Sequence, residues 1–140
     1  MTGLEHLRAI LDGRVPRAPI QATLDFDLTE ADEGRARFTG RPSAQHANPM
    51  GTVHGGYAAT LLDSAMGSAV MTTLAAGESY GTVDLIVHLV RPITPASGPL
   101  VADATIVHRG KTIATAEGRL TDGNGKLVAH ATTTCVITRA

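Results

Sequence analysis

Asp63 sits in the middle of a stretch that otherwise reads as a buried helix, and a lone acid in such a place calls for a chemical explanation. In residues 57–76 the apolar positions Ala58, Leu61, Leu62, Ala65, Met66, Ala69, Val70 and Leu74 recur at spacings of three and four, the period of a helix face. Small residues fill much of the remainder, so the helix is apolar on nearly all sides and must be buried. A buried carboxylate without partners costs several kcal/mol. No Lys or Arg stands three or four positions from Asp63 to pair with it. Just upstream runs Asn48-Pro-Met-Gly-Thr-Val-His-Gly-Gly56. Gly51, Gly55 and Gly56 let the backbone come close to a ligand. The helix start adds unpaired N–H groups and a partial positive charge, which is a place to hold a developing negative charge.

If the helix begins at Gly55 or Gly56, Asp63 lies about 12 Å further along its axis. One small substrate group cannot touch both. Either the two positions serve different purposes, or a second copy of the chain brings its Asp63 to this chain's Gly55. An exposed edge strand and an apolar helix would each be covered by a symmetric partner, so the expectation is a site across a homodimer interface, with dimers paired again into a tetramer.

The elements around this motif are those of one domain. With 140 residues and 43% apolar content the chain can bury a single core. Residues 1–13 predict a short peripheral helix carrying Leu4, Leu7, Ile10 and Leu11 and ending at Gly13. Ile20 to Leu28 alternates apolar and polar residues and predicts a strand, followed by a turn at 31–34 and a second strand at 35–39. After the helix come strands at 82–90 with Val83, Leu85, Val87 and Leu89 on one face, at 100–108, at 112–121 and at 126–137. The last two are joined by Asp122-Gly-Asn-Gly125, the strongest hairpin signal in the chain. Short connections imply mostly antiparallel neighbours. Ala114, Ala116 and Gly118, and Ala129, Ala131, Thr133 and Cys135, face inward and are small enough for the helix to lie close. The fold class is therefore α+β: a curved antiparallel sheet of about six strands wrapped around one long central helix.

Composition narrows the partners. Twelve basic residues against thirteen acidic, with two Phe, two Tyr and no Trp, give neither the basic surface nor the stacking platforms of a nucleic-acid binder. The single Cys135 and an N-terminus without a basic-then-apolar pattern point to a reducing cytoplasm. The central helix carries Asp63, Ser64 and several Thr, so it is a core helix and not a membrane span. The six histidines are scattered without metal-ligand spacing, and no metal is expected.

The pattern N-x-x-G-x-x-H-G-G followed by T-L-L-D, as Asn48, Gly51, His54, Gly55, Gly56, Thr60, Leu61, Leu62 and Asp63, resembles the hotdog-fold acyl-CoA thioesterases of the phenylacetate-pathway, or PaaI-like, group. Thr82-Val-Asp-Leu85, Arg91-Pro92, Arg109-Gly-Lys111 and Asp122-Gly-Asn-Gly-Lys-Leu-Val-Ala129 also look like strand landmarks of that family. The resemblance spans about residues 20 to 137. It implies hydrolysis of acyl-CoA thioesters to a free acid and CoA, with no cofactor beyond the CoA of the substrate. The Gly55 N–H would polarise the thioester carbonyl, and Asn48 would orient the thioester or the water. Asp63 of the other subunit would act as general base or nucleophile, with Thr82 holding the water.

Each residue has a plainer reading. Asn48 can cap a turn ahead of Pro49, and His54 can hold the loop through its ring instead of meeting the substrate. Gly55 and Gly56 can serve close packing, and Thr82 can be an ordinary strand residue. Met66 is core filler or acyl-pocket lining. Arg91, Arg109 and Lys111 are solvated turn residues or contacts for the CoA phosphates. Two other functions compete: a non-catalytic acyl-CoA binding or sensing module, which has no need of a buried carboxylate, and a hotdog hydratase or dehydratase, which needs a catalytic His paired with an acid in a different loop context.

Overall fold

The computed structural model describes residues 1–140. A six-stranded, wholly antiparallel sheet in the order β1-β2-β4-β5-β6-β3 wraps around the helix α3. The strands are β1 Phe26–Asp32, β2 Arg35–Gly40, β3 Glu78–Leu89, β4 Leu100–Arg109, β5 Ile113–Thr121 and β6 Leu127–Arg139, and α3 spans Gly55–Met71. Two short helices, α1 Gly3–Leu11 and α2 Pro19–Leu24, precede the sheet.

The expected inward small residues do let the helix approach. Ala114, Ala116, Ala129, Ala131, Thr133 and Cys135 are buried. A Cβ added at Gly118 would stand 3.1 Å from Met66 Cγ and 3.2 Å from Leu62 Cδ2. Leu61, Leu62, Met66 and Val70 are fully enclosed, each contributing about 1.5–3 kcal/mol of burial. The helix ends at Met71, five residues earlier than its apolar pattern suggests. The Thr72 hydroxyl there donates to the Ala69 carbonyl at 2.6 Å and accepts from the Gly34 N–H at 2.8 Å, tying the helix end to the β1–β2 turn.

Three expectations are corrected. Ile20 to Leu28 is not one strand: residues 19–24 are helical, and β1 begins at Phe26. Pro19 occupies the first helical position, where its missing N–H costs nothing. The Gln21 side chain accepts from the Ala18 N–H at 3.0 Å, and Asp25 closes the helix at φ 53°. The burial is the reverse of the alternation, since Gln21 is inside while Ile20 is 48% exposed. Second, β3 does not pair with the strand that follows it. The connection 90–99 crosses the molecule, and β3 pairs with β6 at the sheet edge. Third, Val83 does not share a face with Leu85, Val87 and Leu89. Thr82 lies opposite Cys135 and Asp84 opposite Thr134, so Val83 is the extra residue of a bulge and is 59% exposed.

The two sheet edges differ in character. β1 carries Asp27, Glu30 and Asp32, charges of the kind that protect an edge from further pairing. β3 instead exposes Val83, Leu85, Ile86 and Leu89. On α3 the residues its own chain leaves partly uncovered include Ala59, Thr60, Asp63 and Ser64, a stripe at helical spacing.

Candidate active site

The loop before α3 is held by its own side chains. Asn48 Oδ1 accepts from the N–H groups of Met50 at 3.0 Å and Thr52 at 3.2 Å, and its Nδ2 donates to Thr52 Oγ1 at 2.7 Å. The Asn48 side chain therefore shapes the turn after Pro49, and the residue also lines the cleft beside Gly55. Val53 N–H donates to the Ile93 carbonyl at 2.7 Å, which fastens this loop to the Arg91-Pro92 segment. His54 is the N-cap, its Nδ1 accepting from the Gly56 N–H at 2.8 Å, while Tyr57 N–H donates to the His54 carbonyl. His54 thus holds the loop and occupies the Gly56 donor.

That capping leaves the Gly55 N–H with no hydrogen bond in the chain. It opens into a cleft of about 340 Å³ lined by Asn48, Thr52, Gly55, Leu89, Arg91 and Pro92. A Cβ at position 55 would come within 2.7 Å of Leu89 Cδ1, so glycine is what keeps this N–H approachable. A free donor at the start of a 17-residue helix is suited to hold negative charge. Arg91 stands beside it without an acidic partner in the chain.

Asp63 lies two turns on. It forms no ion pair; its carboxylate Oδ1 accepts from the Thr82 hydroxyl at 3.0 Å. The Val83 bulge makes this contact possible. Leu85, Val87 and Leu89 face the helix side, opposite Thr133, Ala131 and Ala129. Strict alternation back from Leu85 would turn Thr82 to the outer face, and the extra residue restores it to the inner one. Asp84, beside Leu85, faces outward under either parity, and its carboxylate accepts from the Thr134 N–H at 2.7 Å.

Other residues of interest are placed elsewhere. Met66 is fully enclosed against Gly118, a core position. Arg109 lies near the far end of α3, donating to Thr73 Oγ1 at 3.0 Å and Glu78 Oε1 at 2.9 Å. Lys111, in the β4–β5 turn, gives its carbonyl to Arg139. Neither shares the Gly55 cleft in one chain. Tyr80, which no motif marks, lies two residues before Thr82 with its hydroxyl against Gly67. Burial, and then the Asp63 carboxylate, push its phenol up to about 12, so it remains a donor. Burial also pushes the Cys135 thiol up, as befits an inert core cysteine.

The geometry is thus two half-sites: a charge-holding amide with Arg91, and a carboxylate with a hydroxyl, separated along α3 by about 12 Å. Comparison with known proteins agrees with hydrolytic chemistry. Residues 50–129 match the family model of the thioesterase superfamily. A protein of Halobacterium salinarum whose esterase assignment is provisional is 34% identical over 124 residues, 84% of this chain and 80% of that protein. Human acyl-coenzyme A thioesterase 13 is 31% identical over 104 residues, 74% of this chain and 73% of its own. A crystal structure of a phenylacetic acid degradation-related protein from Ralstonia eutropha superposes with a TM-score of 0.84 at 30% identity, covering 93% of this chain and 98% of the other.

Proposed function

The chain belongs to the thioesterase superfamily and has the hotdog fold of its PaaI-like members, and from that premise we propose that it hydrolyses acyl-CoA thioesters in a site completed by a second copy of itself. The observation that carries this reading is the pair of half-sites on one helix. Each is chemically incomplete, and they lie too far apart for one thioester group to reach both.

The edge strand supplies the symmetry. If β3 pairs antiparallel with β3 of the second copy about an axis between Leu85 and Ile86, Thr82 of one copy falls opposite Leu89 of the other. Leu89 borders the Gly55 cleft, and Thr82 holds Asp63. One pairing therefore joins both half-sites twice and covers the apolar edge.

In the joined site, the Gly55 N–H polarises the thioester carbonyl, with Asn48 beside it. Asp63 of the second copy takes a proton from a water hydrogen-bonded to Thr82, and the water oxygen bonds to the carbonyl carbon. The oxyanion is held at Gly55, a donor worth about 3–4 kcal/mol in such sites. As the carbonyl re-forms, the C–S bond breaks and the proton on Asp63 passes to the leaving thiolate, giving acid and CoA. A thiolate leaves readily enough for general-base attack by water. Arg91 at the cleft mouth suits a CoA phosphate.

The test is subunit complementation. Asp63→Asn and Asn48→Ala chains, each inactive alone, are co-expressed and the mixed dimer is purified by two tags. The purified mixed dimer has one intact site of two, so it is expected to regain about half of the wild-type activity per dimer. Thiol release no greater than that of the parents would refute the shared site.

A further inference from the structure

On the outer face of the sheet, away from the helix, two histidines far apart in the chain meet. His88 of β3 and His130 of β6 are directly opposite in the antiparallel ladder. Each lies between residues that face the helix, so both rings point outward. The rings stack with their centres 4.9 Å apart and their planes 27° from parallel. The imidazoles that hydrogen-bond within the chain are those of His46 and His54, which leaves all four ring nitrogens of the outer pair open. Spacing along the sequence hides this pair, because strand pairing alone brings it together.

Neutral imidazole is a ligand for zinc, copper and nickel. With a metal–nitrogen distance of about 2.0–2.1 Å, an ion stands about 3.2 Å from the centre of each ligating ring, and a tetrahedral angle separates two such centres by about 5.2 Å. The observed 4.9 Å is close to that separation, and His88 is exposed and free to turn. Arg119 lies opposite His130 on β5, on the side away from His88. The chain's own Asp84 does not reach the pair, because it lies about 13 Å from His88 along the strand. A second copy brings one that does. In the β3–β3 pairing that sets Thr82 opposite Leu89, Val83 is the extra residue, so Asp84 of the second copy comes next and stands beside His88 on the outer face. Its Oδ1 holds the Thr134 N–H, and its Oδ2 remains for an ion.

Building on the dimer of the thioesterase reading, we propose that the outer face holds a site for a divalent transition-metal ion of the zinc class. His88 and His130 of one copy and Asp84 of the other are its ligands, with water in the fourth position. The twofold axis makes two such sites, and each ties β3 of one copy to β3 of the other. The ion binds the paired chains more tightly than the separate ones, so it stabilises the dimer by mass action. The site stands on the opposite face of the sheet from Gly55 and Asp63. It serves assembly and takes no part in breaking the thioester.

The experiment titrates the chelator-stripped full chain with zinc chloride by calorimetry. The wild type is expected to bind one ion per chain. His88→Ala and His130→Ala should each weaken binding at least a hundredfold, and Asp84→Asn at least tenfold. A mixed dimer of His88→Ala and Asp84→Asn chains has one intact site and one doubly broken, so it should bind one ion at wild-type affinity. Light scattering on dilution should show zinc lowering the concentration at which the wild-type dimer dissociates at least tenfold, with no such shift in His88→Ala. Thermal unfolding verifies that each variant folds. Zinc affinity unchanged in either His variant or in Asp84→Asn overturns the site, and so does a wild type that binds zinc as a monomer. Thiol release from octanoyl-CoA by the stripped dimer at micromolar concentration separates this outcome from the catalytic reading. That activity should match the zinc-loaded enzyme, and its absence in both forms would overturn the thioesterase reading instead.

Discussion

Replacing Asp63 and Thr82 singly and together tests whether the helix acid does the chemistry and whether Thr82 acts through it. Asp63→Asn keeps an oxygen that can accept the Thr82 hydroxyl, so the 3.0 Å contact can persist and the fold is not at issue. What is lost is the ability to take a proton. Loss of a general base lowers kcat by about 10²- to 10⁴-fold, about 2.7–5.5 kcal/mol of transition-state stabilisation. Thr82→Val keeps the β-branched shape that suits a strand and removes one hydrogen bond to a carboxylate. Such a bond is worth about 1.5–3 kcal/mol when buried. Solvent at this half-exposed position reduces that to about 1 kcal/mol, or about fivefold in kcat. In the Asp63→Asn background, Thr82→Val is expected to add less than about twofold, since the carboxylate it serves is gone. Thiol release under saturating acyl-CoA measures all four proteins. Asp63→Asn retaining more than about a tenth of wild-type kcat, or two losses that simply multiply, would refute the assignment.

Further outcomes follow from other parts of the structure. Leu85→Glu places a charge at the centre of the exposed β3 edge and is expected to give a monomer by light scattering, with activity lost in parallel. Gly3→Ala would put a Cβ 1.9 Å from the Met71 carbonyl oxygen; overpacking of this kind costs about 1–3 kcal/mol, so Tm should fall by about 3–10 °C. The Glu78 carboxyl is held below its ordinary value of 4.5 by the Ala75 N–H and then by Arg139 and Arg109. Its contribution to stability is present above that value and is lost as pH falls through the lowered folded value. Thermal melts between pH 3 and 6 should therefore show less acid sensitivity in Glu78→Gln than in the wild type.

Much of this architecture was legible because burial writes itself into spacing. The helix period around Leu61, Leu62 and Ala65, the small inward residues of β5 and β6, and the Asp122–Gly125 turn each answer to a single local rule, and together they specify a sheet around a helix. The segment 19–24 was not legible. Ile20, Ala22 and Leu24 alternate as a strand would, yet Pro19 and the Gln21 side chain pre-form a helical turn. Six residues are too few for a period to decide between the two. The crossing of β3 to the far edge was hidden for a different reason: nothing in the ten residues 90–99 records which strand waits on the other side.

The bulge at Val83 shows how a site can be invisible in a pattern that is otherwise read correctly. Alternation through Leu85, Val87 and Leu89 sets a parity, and extending it backward puts Val83 inside and Thr82 outside. One unpaired residue inverts that parity at the position where β3 passes Asp63. An inverted parity exposes an apolar Val83, a cost that folding of the protomer alone does not repay. It gains a hydroxyl on the carboxylate. A local rule is broken where the chemistry needs it broken. Deleting Val83 should then restore regular pairing with β6 while keeping Thr82 opposite Cys135 and turned toward α3, so thioester hydrolysis should persist in a folded sheet by circular dichroism, and Thr82→Val in that deletion should still lower it about fivefold. Loss of hydrolysis in that deletion, with the sheet intact, would refute the view that the bulge serves the site only by turning Thr82 inward.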